Sequence, residues 1–311
     1  MSDKEKRIIA VVGPTASGKT ALSIALAKEL DGEIISADSM QIYKGMDIAT
    51  AKPTPEEMQG ILHHLMDFLD PGEQFSVADY VELAFSTAED IFSRGRQPVL
   101  CGGTGLYVRS FLENIRFTEE KSDPVLREQL NERYRTEGGE KLLQELSSFD
   151  PETAARLHPS NSKRIIRGIE IYRLTGKTMS QAVKESRQTP FPYDVFAIGI
   201  RYADRERLYD RINLRVDKMI EEGLVEEAKR FYSMQVGNTA AAAIGYKELK
   251  PYIDGICSLD EAAEHLKQAT RHYAKRQMTW FRKDSYIHWI DADKTDNIAA
   301  EALRLLEDGV N

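Results

Sequence analysis

Between Gly13 and Thr20 the chain reads GPTASGKT, a glycine, four residues, a second glycine, then Lys19 and Thr20. That spacing makes a loop that wraps phosphate groups. Its backbone amides and the start of the following helix attract anionic oxygens. The binding residues expected are Gly13, Pro14, Thr15, Ala16, Ser17, Gly18, Lys19 and Thr20, with Lys19 supplying positive charge and the Thr20 hydroxyl suited to Mg2+. The motif specifies a pyrophosphate-like group and does not specify ATP. A second cluster follows in SADSMQIYKGMDIATAKP. Asp38 there can accept a proton or help hold magnesium through water, while Ser39 and Gln41 suit hydrogen bonds to a base edge or a sugar. GGTGLY brings Thr104 to a third such position. His63, His64 and Asp67 in HHLMD read as structural, because adjacent histidines point in different directions. TRHYAKRQMTWFRK fits both a helix that holds a phosphate backbone and stacks bases and an amphipathic helix packing its aromatics inward.

The elements that must position these groups alternate over the first 110 residues. Strands are expected at Arg7 to Val12, Glu33 to Ser36 and Pro98 to Cys101. Helices are expected at Thr20 to Leu30, Val77 to Phe92 and Leu106 to Leu112. Such alternation implies a parallel sheet with helices on both faces, where ligands bind at the carboxyl ends of the strands. Asp38 should therefore share a crevice with Lys19. From about Thr118 to Thr189 only helical segments are expected: Pro124 to Thr136, Glu140 to Phe149, Pro151 to Leu157, Ser162 to Leu174 and Met179 to Glu185. Val195 to Ile200 reads as a strand returning to the sheet. The C-terminal third is expected to be mostly helix, from Arg205 to Tyr232 and from Leu259 to Phe281. The organisation expected is a P-loop NTPase-like α/β core over residues 1–117, an all-helical insertion over 118–194, and the second part of the core over 195–311.

The 311 residues carry a net charge of −8, which argues against a surface that binds nucleic acid everywhere. The charge is uneven. Between Arg156 and Arg187 there are eight cations against Glu170 and Glu185, and from Lys267 to Lys283 there are six cations and no acid. Such faces fit docking of a polyanion and equally fit solvated helix surfaces. Two cysteines, Cys101 and Cys257, indicate neither a disulfide framework nor a zinc site. With no signal-peptide pattern and no long apolar run, a cytoplasmic protein without a membrane segment is expected.

Taken together, GPTASGKT, SADSMQIYKGMDIATAKP, HHLMD, GGTGLYV, HPSNSKRIIRGIEIYRLTGK, RINLRVDKMIEEGL, AIGYKEL and TRHYAKRQMTWFRK resemble, in order, the motifs of the tRNA dimethylallyltransferase family. The resemblance spans nearly the whole chain and lacks the C-terminal zinc finger of many eukaryotic members. It implies transfer of a dimethylallyl group from dimethylallyl diphosphate to N6 of the adenosine beside the anticodon, position 37, in tRNAs reading codons that begin with U. The P-loop would then hold the leaving diphosphate with Lys19 and with Mg2+ held partly by Thr20. Asp38 would be the general base, and Arg215, chosen over Arg211, would complete the clamp. It further implies that Asp38, Ser39, Met40, Gln41 and Thr104 read the extruded base. Arg127, Lys163, Arg164 and Arg167 would grip the anticodon stem-loop, with the enzyme a monomer. The competing expectations are an adenylate prenyltransferase acting on a free nucleotide and a P-loop small-molecule kinase; the wide basic insertion favours RNA.

Overall fold

The computed structural model describes residues 6–115, 123–186, 190–234, 236–237 and 239–309. The chain divides into two compact units, one formed by residues 1–112 with 192–311 and the other by 113–191. The boundary expected between residues 117 and 118, and Arg187 at the end of the first basic stretch, lie outside the described residues.

The larger unit is built on six parallel strands: β1 (Arg7–Val12), β2 (Gly32–Ser36), β3 (His63–His64), β4 (Gln97–Gly102), β5 (Asp194–Arg201) and β6 (Ile287–Asp291). Their spatial order is β3-β2-β4-β1-β5-β6. Five of the six β1 residues are buried, as parallel strands covered on both faces require. Register is set by pairs such as Val12 with Gly102 of β4 and Val12 with Gly199 of β5, so the ends of the central strands lie level. Leu22, Ile24 and Leu26 of the helix Lys19–Glu29 join Ile9, Val11, Ile34, Val99, Ile198 and Ile290 in one apolar core. Gly13 follows β1 at φ +146°, and a Cβ there would stand 2.5 Å from the Ile200 carbonyl oxygen. Only glycine lets the chain leave β1 so close to β5.

The segment expected as one helix from Arg205 to Tyr232 is two helices, Arg205–Glu221 and Leu224–Ser233. Gly223 between them takes φ +102°, a left-handed cap that stops the first helix. β5 returns beside β1 as expected, and the C-terminal part adds one strand that was not, β6, which extends the sheet beyond β5. β3, β6, and the helices Tyr246–Ile253 and Ile298–Asp308 have no counterpart in the sequence reading.

In the second unit the helices are Pro124–Glu137, Gly139–Phe149, Pro151–Ala154, Ser162–Thr175 and Met179–Ser186. Leu130, Leu142, Leu146, Ile165, Ile166 and Ile169 form its core. Asp123 caps the first of these helices through the Val125 and Leu126 amides. Glu170 is buried and accepts from Arg127 Nη2 at 2.8 Å, Arg167 Nη1 at 2.9 Å and the Asp123 amide at 3.3 Å.

Candidate active site

Beyond the carboxyl ends of β1, β2 and β4 lies a pocket of about 270 Å³. Its floor is the turn that follows β1. Gly18 and Ala16 take positive φ, +99° and +60°, which curls the loop so that Thr15, Lys19 and Thr20 face the pocket. Lys19 Nζ donates to the Pro14 carbonyl at 2.7 Å. Enclosure by protein pulls this ammonium down to about 8, with Arg215 adding to the drop and Cys101 and Asp38 opposing it. Among the described residues no carboxylate pairs with it, so the cost of burial prevails. Gly13, Pro14 and Ser17 are buried beneath the loop and support it.

Arg215 and Arg211, one turn apart on the helix Arg205–Glu221, both reach this loop, in different ways. Arg215 lines the pocket and approaches Thr15 Oγ1 at 3.4 Å; burial draws its guanidinium below the usual value and Asp38 counters that. Arg211 is exposed, donates from Nε to the Ala16 carbonyl at 3.0 Å, and lies over the Tyr202 ring at 5.9 Å.

On the adjoining wall stands Asp38, just past β2. Its Oδ1 accepts from the Met40 amide at 2.9 Å and the Gln41 amide at 3.4 Å. Among the described residues its Oδ2 accepts nothing, and it borders the pocket. Ser39, Met40 and Gln41 line the same wall. The Ser39 amide donates to Thr104 Oγ1 at 3.0 Å, so Thr104 braces the turn from β4 and touches the pocket through Ser39. Gln41 Nε2 is spent on the Thr50 and Ala51 carbonyls, at 3.1 and 3.2 Å.

The remaining wall comes from the helix Leu259–Phe281, through Leu266, Thr270, Tyr273, Arg276 and Gln277. Gln277 was not expected. It accepts from the Thr15 amide at 2.8 Å and donates to the Gly103 carbonyl at 3.0 Å, tying the phosphate loop to the GGTG turn. Burial, with Asp38 nearby, pushes the Tyr273 phenol up, so it keeps its proton. Thr270, Tyr273 and Gln277 are three and four residues apart, the spacing of one helix face, and that was the available signal. Phe281 is buried and Trp280 packs under Arg109, so these aromatics turn inward. Val216, Met219, Leu224, Ala243 and Ile244 make the pocket's apolar side.

His64 Nε2 bonds Glu33 at 2.6 Å and His63 Nδ1 bonds the Ile61 carbonyl. Among the described residues no three metal-ligating side chains cluster. Thr20, which lines the pocket beside Lys19, presents a hydroxyl oxygen, a hard donor of the kind Mg2+ takes.

Arg127, Lys163, Arg164 and Arg167 belong to the helical unit. Arg127 and Arg167 are engaged by Glu170, Arg173 by Glu145, and Arg156 and Lys184 by Glu152. Lys163 and Arg164 are exposed and have no acidic partner among the described residues. On the helix Leu259–Phe281, Lys267 meets Asp217 and Glu264, and Arg271 donates to Asn213 at 2.6 Å.

Comparison with known proteins adds to this geometry. Residues 41–284 match the model of the IPP transferase family, and residues 6–72 match that of isopentenyl transferase. The tRNA dimethylallyltransferase of Bacillus subtilis is 50% identical over 292 residues, 94% of this chain and 92% of that one. That of Halalkalibacterium halodurans is 47% identical over 94% of this chain and 93% of its own. A full-length tRNA isopentenylpyrophosphate transferase from Bacillus halodurans superposes with a TM-score of 0.72 at 44% identity, covering 98% and 96% of the two chains. A eukaryotic dimethylallyltransferase acting on tRNA superposes at 0.81 with 29% identity, covering 98% of this chain and 79% of that one. No helix among the described residues is long and apolar enough to cross a membrane.

Proposed function

The chain belongs to the IPP transferase family, the tRNA dimethylallyltransferases, and from that premise we propose how its pocket moves a dimethylallyl group from dimethylallyl diphosphate to tRNA. The acceptor is N6 of the adenosine beside the anticodon, position 37, in tRNAs reading codons that begin with U. The observation that carries this reading is one pocket holding a phosphate loop, a strand-end carboxylate with a free oxygen, and an apolar wall.

The adenine N6 lone pair is delocalised into the ring, so the amine is a weak nucleophile. As it bonds to the allylic C1, the C1–O bond breaks and its electrons leave with diphosphate. The N6 proton passes to Asp38 Oδ2, which raises the amine's reactivity during attack. Charge growing on the diphosphate meets donors already aimed at it: the loop amides between Gly13 and Thr20, the Lys19 ammonium and the Arg215 guanidinium. Thr20 is the side chain that would help hold Mg2+, which when bound would neutralise phosphate charge. The apolar side formed by Val216, Met219 and Leu224 receives the five-carbon chain and excludes water from an electrophile that water would consume.

The base must leave the anticodon loop to reach Asp38, where Ser39, Met40 and the Thr104-braced turn contact it. Lys163 and Arg164, free of acids, hold the stem-loop phosphates. Arg127 and Arg167 contribute charge from positions fixed by Glu170. The reading is of a cytoplasmic monomer. It is tested by following diphosphate release from dimethylallyl diphosphate with Mg2+, with and without unmodified tRNA. Release that requires tRNA supports it. Label passing from γ-phosphate-labelled ATP to a small acceptor would replace it with a kinase, and release driven equally well by free adenylate would replace it with a nucleotide prenyltransferase.

A further inference from the structure

Glu227 lies on the helix Leu224–Ser233, outside the pocket lining, and its residue surface is 2% exposed. Its carboxylate faces a segment about 180 positions earlier in the chain. Oε2 accepts from the Asp47 amide at 3.0 Å and the Ile48 amide at 2.8 Å. Oε1 accepts from the Ala49 amide at 2.9 Å and from the Tyr246 hydroxyl at 2.9 Å. Three successive amides converging on one carboxylate form a nest, which fixes the backbone torsions of a segment that has no helix or strand to do so. Burial beside Glu227 pushes the Tyr246 phenol up, so Tyr246 keeps the proton it donates. Tyr246 is itself stacked on Phe231 at 4.1 Å.

The segment so fixed continues into the pocket wall, where Ala49, Thr50 and Ala51 face the cavity. Gly245 approaches from the other side, where a Cβ would stand 3.0 Å from the Ala49 Cβ. The Thr50 and Ala51 carbonyls hold Gln41 Nε2, and the Gln41 amide closes the turn on Asp38 Oδ1. An unbroken run of hydrogen bonds and main chain therefore joins Glu227 to the turn that aims Asp38. We infer that Glu227 is a positioning residue for the acceptor side of the pocket, templating residues 47–51 so that the Asp38–Gln41 turn keeps its place. This rests on the acceptor base docking at that turn. The diphosphate floor, Gly13–Thr20, receives no hydrogen bond from Glu227 and should not respond to it.

The test is steady-state transfer by Glu227→Gln and Tyr246→Phe, each titrated with unmodified tRNA and separately with dimethylallyl diphosphate, together with amide hydrogen exchange on the free proteins. Glu227→Gln keeps the volume but turns an acceptor oxygen toward amides as a donor. It should raise KM for tRNA about tenfold, within the range by which a residue acting only through its neighbours modulates a site, with KM for dimethylallyl diphosphate within about twofold. Amides of Asp47, Ile48 and Ala49 should exchange faster while those of Gly13–Thr20 do not change. Tyr246→Phe keeps the carboxylate and its amide bonds and should move the same parameters the same way, about threefold. A lower Tm with both KM values unchanged, or both KM values rising together, would make Glu227 a packing residue and overturn the inference. If Glu227→Gln does not fold, Tyr246→Phe decides by the same criteria. Should the wild-type protein transfer nothing, the functional reading fails on its own, and unaltered exchange at residues 47–49 would still overturn the positioning role.

Discussion

At the amino-terminal edge of the sheet Glu33 is enclosed by Arg94, Arg96 and His64, whose nitrogens all donate to or share protons with its two oxygens. At the carboxyl-terminal edge Lys19, Arg215 and Asp38 share one pocket, yet among the described residues none of them forms an ion pair. Lys19 has a carbonyl, Arg215 a distant hydroxyl, and Asp38 two backbone amides. Both edges hold charges drawn out of water. Where the partners are supplied internally, the carboxylate is driven down to about 2 and serves the fold. Where they are withheld, the cation is destabilised to about 8, a state that an anion from outside would relieve. The helical unit repeats the contrast on a smaller scale, with Arg127 and Arg167 closed on Glu170 and Lys163 and Arg164 left open.

The largest expected effect is at the open edge. Asp38→Asn keeps an Oδ1 for the Met40 and Gln41 amides but cannot take the N6 proton. Turnover should drop about 10²-fold or more in single-turnover assays, with tRNA affinity within a few-fold. Unchanged turnover would remove Asp38 from the base role.

Next comes pH. Lys19 in the free protein is charged below about 8, so diphosphate affinity should be full below that pH. Above it, affinity should fall about tenfold per unit, because binding must then take up a proton. Calorimetric titration of dimethylallyl diphosphate between pH 6.5 and about 9.5 reads this directly; a flat profile would mean that Lys19 is charged throughout.

The closed edge should behave in the opposite sense. Glu33→Gln should cost about 2–3 kcal/mol of stability, below the full loss of a buried pair because Arg94 and Arg96 reach solvent, and leave kcat/KM unchanged. The folded carboxyl lies below its ordinary value of 4.5. Its contribution is therefore complete above about pH 4.5 and disappears as pH falls toward 2. Denaturant unfolding of wild type and variant across that window should converge at the acid end. A variant that lost activity without losing stability would break the comparison.

The smallest effect belongs to the helical unit. Lys163→Ala with Arg164→Ala should weaken tRNA binding and lower the salt slope by about 2, with no change in Tm. Arg167→Ala should lower Tm as well, because it uncovers part of Glu170. Equal Tm for both sets would dissolve the distinction between open and closed cations.

Local pattern made some of this legible in the sequence. β1 is an apolar run from Ile8 to Val12 behind Arg7, GPTASGKT lies where a strand must turn into a helix, and Leu259–Phe281 begins with a Ser258–Glu261 capping box and ends as expected. β3 and β6 were not legible, since two residues beside β2 and five beside β5 owe their conformation to their neighbours. The same holds within the site. Lys19 and Asp38 could be placed at strand ends, whereas Gln277 depends on the orientation of a long helix, which spacing alone cannot assign. That Arg167 closes on Glu170, Arg173 on Glu145, Lys177 on Glu185, and Arg156 and Lys184 on Glu152 is tertiary information too, and among the described residues of the basic stretch it leaves Lys163 and Arg164 without an acidic partner.

The central claim is that the open edge prepares a diphosphate to leave while Asp38 readies an RNA amine. It is tested most directly by mass spectrometry of nucleosides from unmodified tRNA incubated with the protein, Mg2+ and dimethylallyl diphosphate. The account predicts one adenosine heavier by a single dimethylallyl group, absent when Asp38→Asn replaces the wild type over the same interval. Nucleosides of unaltered mass, or the same product at the same rate from the variant, would contradict it.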